Sequence, residues 1–222
     1  MDEQRPGHGL PSAEHHEGAF RPMSELIDAV RNTDTLRGGP HYGMFIEQVR
    51  TLMDRVRLAC PSDEVALEAI SVLEKLNDRL ETTVVDEWST PNWTRFDLPA
   101  HGNITLPPYE VDEANADGVR ARIIYRTFYL GGNAAVHGGH ISLGFDNLMG
   151  MAAAAHSGGI TRTASLTVDY RSVTPLDTEL QLHAWAENRD GRKIYIRATL
   201  HHGERLCAEA TGLFIVLEPG QA

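Results

Sequence analysis

Apolar residues recur along this chain at two spacings, and the change from one to the other divides it. Between Ser24 and Thr82 they return every three or four residues, the period of amphipathic helices. Ser24 caps a first helical stretch, ELIDAVRN, and Gly38-Gly39-Pro40 breaks the chain after it. A second helix is predicted over 42–59, with Phe45, Val49, Leu52, Met53 and Val56 on one side. Cys60-Pro61-Ser62 ends it. A third helix is predicted over 62–82, with Ser62 as cap, Asp63 and Glu64 in its first turn, and an apolar stripe from Val65 to Leu80. These two read as an antiparallel structural hairpin, packed on a larger body or covering an oligomer surface. Proline then punctuates residues 85–118, a linker with one short strand near Ile104. Trp88, Trp93 and Phe96 would anchor it.

From Val119 the period falls to two. Strands are predicted over 119–129, 163–171, 179–188, 193–201 and 206–217, with turn signals at Asp190-Gly191 and His202-Gly203. Short connections imply antiparallel neighbours. Between the first strand and the rest lies a Gly-rich loop, then a proline-free helix over 139–157, roughly 28 Å long. Ile141, Phe145, Leu148, Ala152 and Ala155 make its apolar stripe, with Ser142, Asp146, Met149 and Ala153 beside it. The expected class is α+β, one long helix against a curled antiparallel sheet. The domains follow: a disordered tail at 1–22, a helical extension at 23–84, the linker at 85–118 and the helix-on-sheet domain at 119–222.

Composition narrows the function. The chain has 222 residues, 41% hydrophobic and 23% charged, as a soluble globular protein does. No stretch is apolar enough to span a membrane, and the N-terminus lacks the features of a secretory signal. Cys60 and Cys207 fit no paired spacing, which points to reduced thiols in the cytoplasm. The net charge of −11 is uneven: residues 1–119 hold 22 acidic and 10 basic groups, residues 120–222 hold 9 and 10. Neither half has the basic excess of a nucleic-acid binder. His137 and His140 lack the further ligands a metal needs, so neither metal nor cofactor is expected.

The chemistry concentrates between Tyr129 and Ser157. A Gly-rich loop feeding a helix N-terminus presents unpaired N–H groups and partial positive charge, a place for an oxygen that becomes anionic during a reaction. Asp146 sits at the edge of the buried stripe, where a carboxylate is costly without a partner or a task. Ser142 is not in a GxSxG elbow, which excludes a serine hydrolase of that type.

Three features together carry a family resemblance. They are Val136-His137-Gly138-Gly139, Asp146 nine positions after the histidine, and TASLTVDYRSVTPL from Thr163. Over about 119–217 the chain resembles the hotdog-fold acyl-CoA thioesterases, nearest the phenylacetate-pathway (PaaI-like) branch. That resemblance implies a hotdog fold and hydrolysis of an acyl-CoA thioester. It implies Asp146 as general base or nucleophile, and Gly138 as oxyanion donor with Gly139 adjacent. His137 would be the loop histidine and Thr163 the supporting hydroxyl. Many relatives have Asn six positions before the histidine; here Gly131 stands there, and Asn133 either takes that role or serves as a turn residue.

Asp146 lies about two helical turns, roughly 10 Å, from the glycine N–H groups of its own chain. A reacting group must touch both an attacking group and an oxyanion donor. A second copy can supply the missing half, which predicts a homodimer, or two dimers paired into a tetramer, with sites at the interface. Two other readings stand beside hydrolysis: a hotdog acyl-thioester dehydratase or hydratase, and a non-catalytic acyl-CoA-binding protein.

Overall fold

In the computed structural model, residues 36–86 and 89–218 are described. The expected tail, the helical stretch at Ser24 and the anchor Trp88 lie outside them. Helices α1 (Tyr42–Leu58) and α2 (Asp63–Glu81) come first. Strands β1 (Glu110–Asn115) and β2 (Gly118–Ile124) follow. A small hairpin, β3 (Leu130–Gly132) and β4 (Ala135–Val136), leads into α3 (Gly138–Ser157). Four long strands complete the chain: β5 (Thr161–Tyr170), β6 (Glu179–Asp190), β7 (Lys193–His202) and β8 (Arg205–Val216).

The six long strands form one antiparallel sheet in the order β1-β2-β6-β7-β8-β5. The helix α3 lies across it and buries Ile141, Phe145, Leu148 and Met149 almost completely. Alternate residues of the strands answer them: Leu180, Leu182 and Ala184 from β6, and Ile194, Ile196 and Leu200 from β7. Helix period on one side and strand period on the other thus meet in one core, the hotdog arrangement. Gly212 of β8 takes part by having no side chain, because a Cβ there would lie 2.9 Å from Met149 Cε and from the Phe214 ring.

Several expectations change. The sheet begins earlier than Val119: Glu110–Asn115, placed in the linker, pairs along β2 as an edge strand. The strand expected near Ile104 is a turn instead, in which Asn103 Oδ1 accepts from the N–H and hydroxyl of Thr105. The strand expected to reach Tyr129 stops at Ile124, and a short 3₁₀ turn covers Thr127–Tyr129.

The two N-terminal helices do not form a packed hairpin. Helix α1 does pack, through buried Ile46 and through polar anchors. Buried Arg50 donates to the carbonyls of Leu106 and Asn103 and to the Tyr129 hydroxyl. Asp54 accepts from the Phe128 N–H and pairs with Arg126, which also reaches Glu47. Helix α2 buries none of its residues. Among the described residues of the linker, Arg95 is the more deeply buried anchor. Trp93 is 40% exposed, whereas buried Arg95 binds Asp97 through two nitrogens and lies 5.5 Å from the Tyr42 ring centroid.

Near that anchor, His101 is packed edge-on between Phe96 and Tyr109, and burial pushes its imidazole from 6.5 down to about 4. The folded state therefore holds it neutral while the unfolded chain binds a proton below pH 6.5. Its contribution is complete above pH 6.5 and is lost as the pH falls toward about 4. Urea unfolding at pH 7 and pH 4.5 should show an acid-side loss about 2 kcal/mol larger in the natural protein than in His101→Asn. Equal losses would remove His101 as the cause.

Candidate active site

The first turn of α3 is built from the loop before it. The β3–β4 hairpin turns through Asn133 and Ala134, both left-handed at φ 48° and 55°. Its return is fixed by the Val136 N–H on the Thr174 carbonyl and the His137 N–H on the Tyr129 carbonyl. His137 is then the N-cap of α3, its Nδ1 accepting from the Gly139 N–H at 3.0 Å. That bond occupies one of the two glycine donors. The Gly138 N–H, at the first helical position, has no partner among the described residues, as helix geometry dictates there. Of the two, only Gly138 keeps its N–H unengaged among the described residues.

Asp146 is half-buried two turns further on, and its Oδ1 accepts from the Thr163 hydroxyl at 2.9 Å. The pairing needs an irregularity in β5. Opposite β8, Thr163 pairs with Phe214 and Ser165 with Leu213, so Ala164 is an extra residue in the strand. Simple alternation from Leu166 and Val168 would turn Thr163 away from α3. The bulge turns it toward α3, a use common beside active sites.

Tyr170 lies at the other end of β5, over the start of α3. Its hydroxyl donates to the Gly138 carbonyl at 2.9 Å and lies 2.8 Å from Ser142 Oγ. Its ring is the reason residue 138 must be small, since a Cβ there would come within 2.9 Å of Tyr170. Gly138, Ser142 and Asp146 are spaced i, i+4, i+8, so they line one face of α3. Tyr170 and Thr163 flank that face from β5, the outermost strand on this side of the sheet. A single edge of the protomer therefore carries an open N–H donor at one end and a carboxylate at the other.

His137, Gly138, Gly139, Asp146 and Thr163 are all on or against α3. Asn133 is not: it sits exposed at the hairpin tip in the left-handed turn conformation. Gly131 has its own constraint, because a Cβ there would lie 2.7 Å from His137 Cα, so this loop leaves no room for an amide side chain. Sequence reasoning did not single out Tyr170, and Ser142 was weighed only as a serine nucleophile. Regular strand alternation does place Tyr170 on the face of Leu166 and Val168. His140, one turn into α3, packs edge-on to Tyr129 with ring centroids 4.9 Å apart. Burial, and secondarily His137, lower its pKa.

A long helix laid on an antiparallel sheet, with a carboxylate and an open N–H donor on one helix face, defines a hotdog domain. Residues 133–209 match the thioesterase superfamily family model. Acyl-coenzyme A thioesterase THEM4 of Rattus norvegicus is 36% identical over 86 residues, 38% of this chain and 36% of that protein. The Xenopus laevis protein of the same name is 38% identical over 85 residues, 37% of this chain and 38% of that one. The chain thus spans little more than a third of the length of the curated relatives it matches. A crystal structure described as a thioesterase superfamily protein superposes with a TM-score of 0.68 at 25% identity, covering 78% of this chain and 94% of that one. That coverage exceeds what residues 119–222 can supply, so the likeness extends into the N-terminal region. Residues 133–209 are thus similar to the thioesterase superfamily, and the fold is that of the hotdog structures.

Gly138→Ala tests the close approach of Tyr170. Alanine favours a helix more than glycine does, so a gain is expected unless Tyr170 must move. We expect a net loss of about 1 kcal/mol in denaturant unfolding, largely cancelled when Tyr170→Ala is added. Simple additivity of the two changes would show that they do not meet.

Proposed function

We propose that this protein is an acyl-CoA thioesterase working as a homodimer, with each site shared between two copies. The observation that carries the reading is the Asp146–Thr163 pair on the same face of α3 as the open Gly138 N–H. The relatives named acyl-coenzyme A thioesterase support the substrate class. The resemblance of the His137-Gly138-Gly139 loop and Asp146 to the phenylacetate-pathway motif supports a role for these residues.

The two ends of the site lie some 12 Å apart along one helix at 1.5 Å per residue. Both face the open edge of β5. A two-fold axis at that edge would set Asp146 of one copy against Gly138 of the other. The thioester carbonyl would then point at the start of α3, where the Gly138 N–H and the helix dipole stabilise its developing charge. Asp146 acts from the other copy, either taking a proton from water or attacking the carbonyl to form an anhydride that water opens. Coenzyme A leaves as the thiol and the acyl group as a carboxylate. Thr163 holds the Asp146 carboxylate in place, and Tyr170 with Ser142 holds the first turn of α3.

A dehydratase would need a histidine and an acid as a proton-transfer pair. Here His137 Nδ1 accepts the Gly139 N–H as the cap of α3, a structural use of the histidine. A binding-only protein has little use for a carboxylate held beside the thioester. The two free thiols, one exposed at Cys60, suit a reducing compartment such as the cytoplasm.

Thiol release from short, long and aromatic acyl-CoAs tests the reading. The natural protein should release thiol, and Asp146→Ala should lose about a hundredfold or more while keeping its mass in sedimentation. Binding without release in both proteins would end the hydrolase reading. Full turnover by a monomer would end the shared site.

A further inference from the structure

The first turn of α3 is its weakest, and it carries the Gly138 N–H left unengaged among the described residues. Gly138 and Gly139 begin the helix, and glycine is the poorest helix former after proline. Helix ends fray unless something outside the helix holds them. A donor that stabilises developing charge has to be aimed beforehand, since any reorganisation adds to the barrier.

The peptide units around this N–H are held one by one. The His137 N–H reaches the Tyr129 carbonyl at 2.8 Å. The His137 carbonyl, on the same peptide as the Gly138 N–H, accepts from the His140 N–H at 3.0 Å. The next peptide is held at both edges. Its Gly139 N–H donates to His137 Nδ1 at 3.0 Å, and its Gly138 carbonyl accepts from the Tyr170 hydroxyl at 2.9 Å. A peptide unit is planar and rigid, so contacts at both edges stop it turning. Of these holds, Tyr170 is the one that ties the turn to the six-stranded sheet.

Packing does not explain the tyrosine. The residue is 54% exposed, and phenylalanine would supply the same ring. What tyrosine adds is the hydroxyl. Ser142 Oγ lies 2.8 Å from that hydroxyl and 3.2 Å from the Gly138 carbonyl. Two hydroxyl protons serve three contacts, and the shorter pair runs from Ser142 to Tyr170 and from Tyr170 to Gly138. Bonds in such a chain strengthen each other.

Resting on the thioesterase reading, we propose that Tyr170 is a positioning residue for the hydrolysis. Its hydroxyl, oriented by Ser142, pins the Gly138–Gly139 peptide and so keeps the Gly138 N–H aimed at the thioester oxygen. Tyr170 acts through the helix and not on the substrate. In Tyr170→Phe, kcat for thiol release should fall about tenfold with KM within about twofold, less than the loss of a donor outright. The pH profile should keep its shape, because no proton passes through the hydroxyl. Hydrogen exchange at the Gly139 N–H, followed by NMR, should quicken about fivefold. Ser142→Ala should lose less, roughly threefold, because the Tyr170 bond survives it; a larger loss than in Tyr170→Phe would overturn the order of the pair. An unchanged kcat in Tyr170→Phe would overturn the positioning role. So would a fall in kcat with unchanged exchange or a displaced pH profile, which would make the hydroxyl a group acting on the substrate itself. If the natural protein releases no thiol, the thioesterase reading fails instead, and exchange at Gly139 alone decides whether Tyr170 pins this turn.

Discussion

The packing of α3 on the sheet is the constraint from which the rest follows. Phe145, Leu148, Met149, Ala152 and Ala153 are all but inaccessible, and the small residues among them bring the helix down close to the strands. Once that face is buried, the rotation of the helix is set. Gly138, Ser142 and Asp146 must then lie toward the edge strand β5, because they occupy the stripe next to the buried one. The site is a by-product of a hydrophobic contact, placed by the helical repeat.

Edge and helix then hold each other through a few polar contacts. Thr163 and Tyr170, seven residues apart on β5, reach the two ends of the same helix face. The bulge at Ala164 makes this possible, since one extra residue inverts which side of the strand each neighbour occupies. On the far side of the loop, α1 fixes the segment before it. Arg50 and Asp54 hold the stretch around Phe128 and Tyr129, and the Tyr129 carbonyl in turn accepts from His137. A helix with no chemistry of its own thereby positions the residue that caps α3.

Two surfaces of the protomer are unfinished. Among the described residues, strand β5 has no neighbour beyond it in the sheet, and α2 has an apolar stripe that none of them buries. Nothing requires one partner contact to satisfy both. An open strand edge and an unpacked amphipathic helix are each costly features that association relieves by different means, backbone pairing in one case and side-chain burial in the other.

Much of this was legible along the chain. The switch from helical to alternating period located α3 and the long strands, and the resemblance of the His137-Gly138-Gly139 loop, Asp146 and Thr163 placed the candidate residues. Those signals survive in sequence because they depend on local repeats. What the sequence could not carry was relative placement. The Ala164 bulge is invisible to a period-two reading, which puts Thr163 on the wrong face. The strand Glu110–Asn115 was missed because edge residues exposed on both sides show no alternation. The two amphipathic helices looked alike in pattern, yet among the described residues one is docked and the other is not, because docking of α1 rests on Arg50 and Asp54 beside a single buried apolar residue, Ile46. Sequence by itself determined which residues are candidates for chemistry; only the tertiary structure decided which of them face one another, since that depends on contacts between segments far apart in the chain.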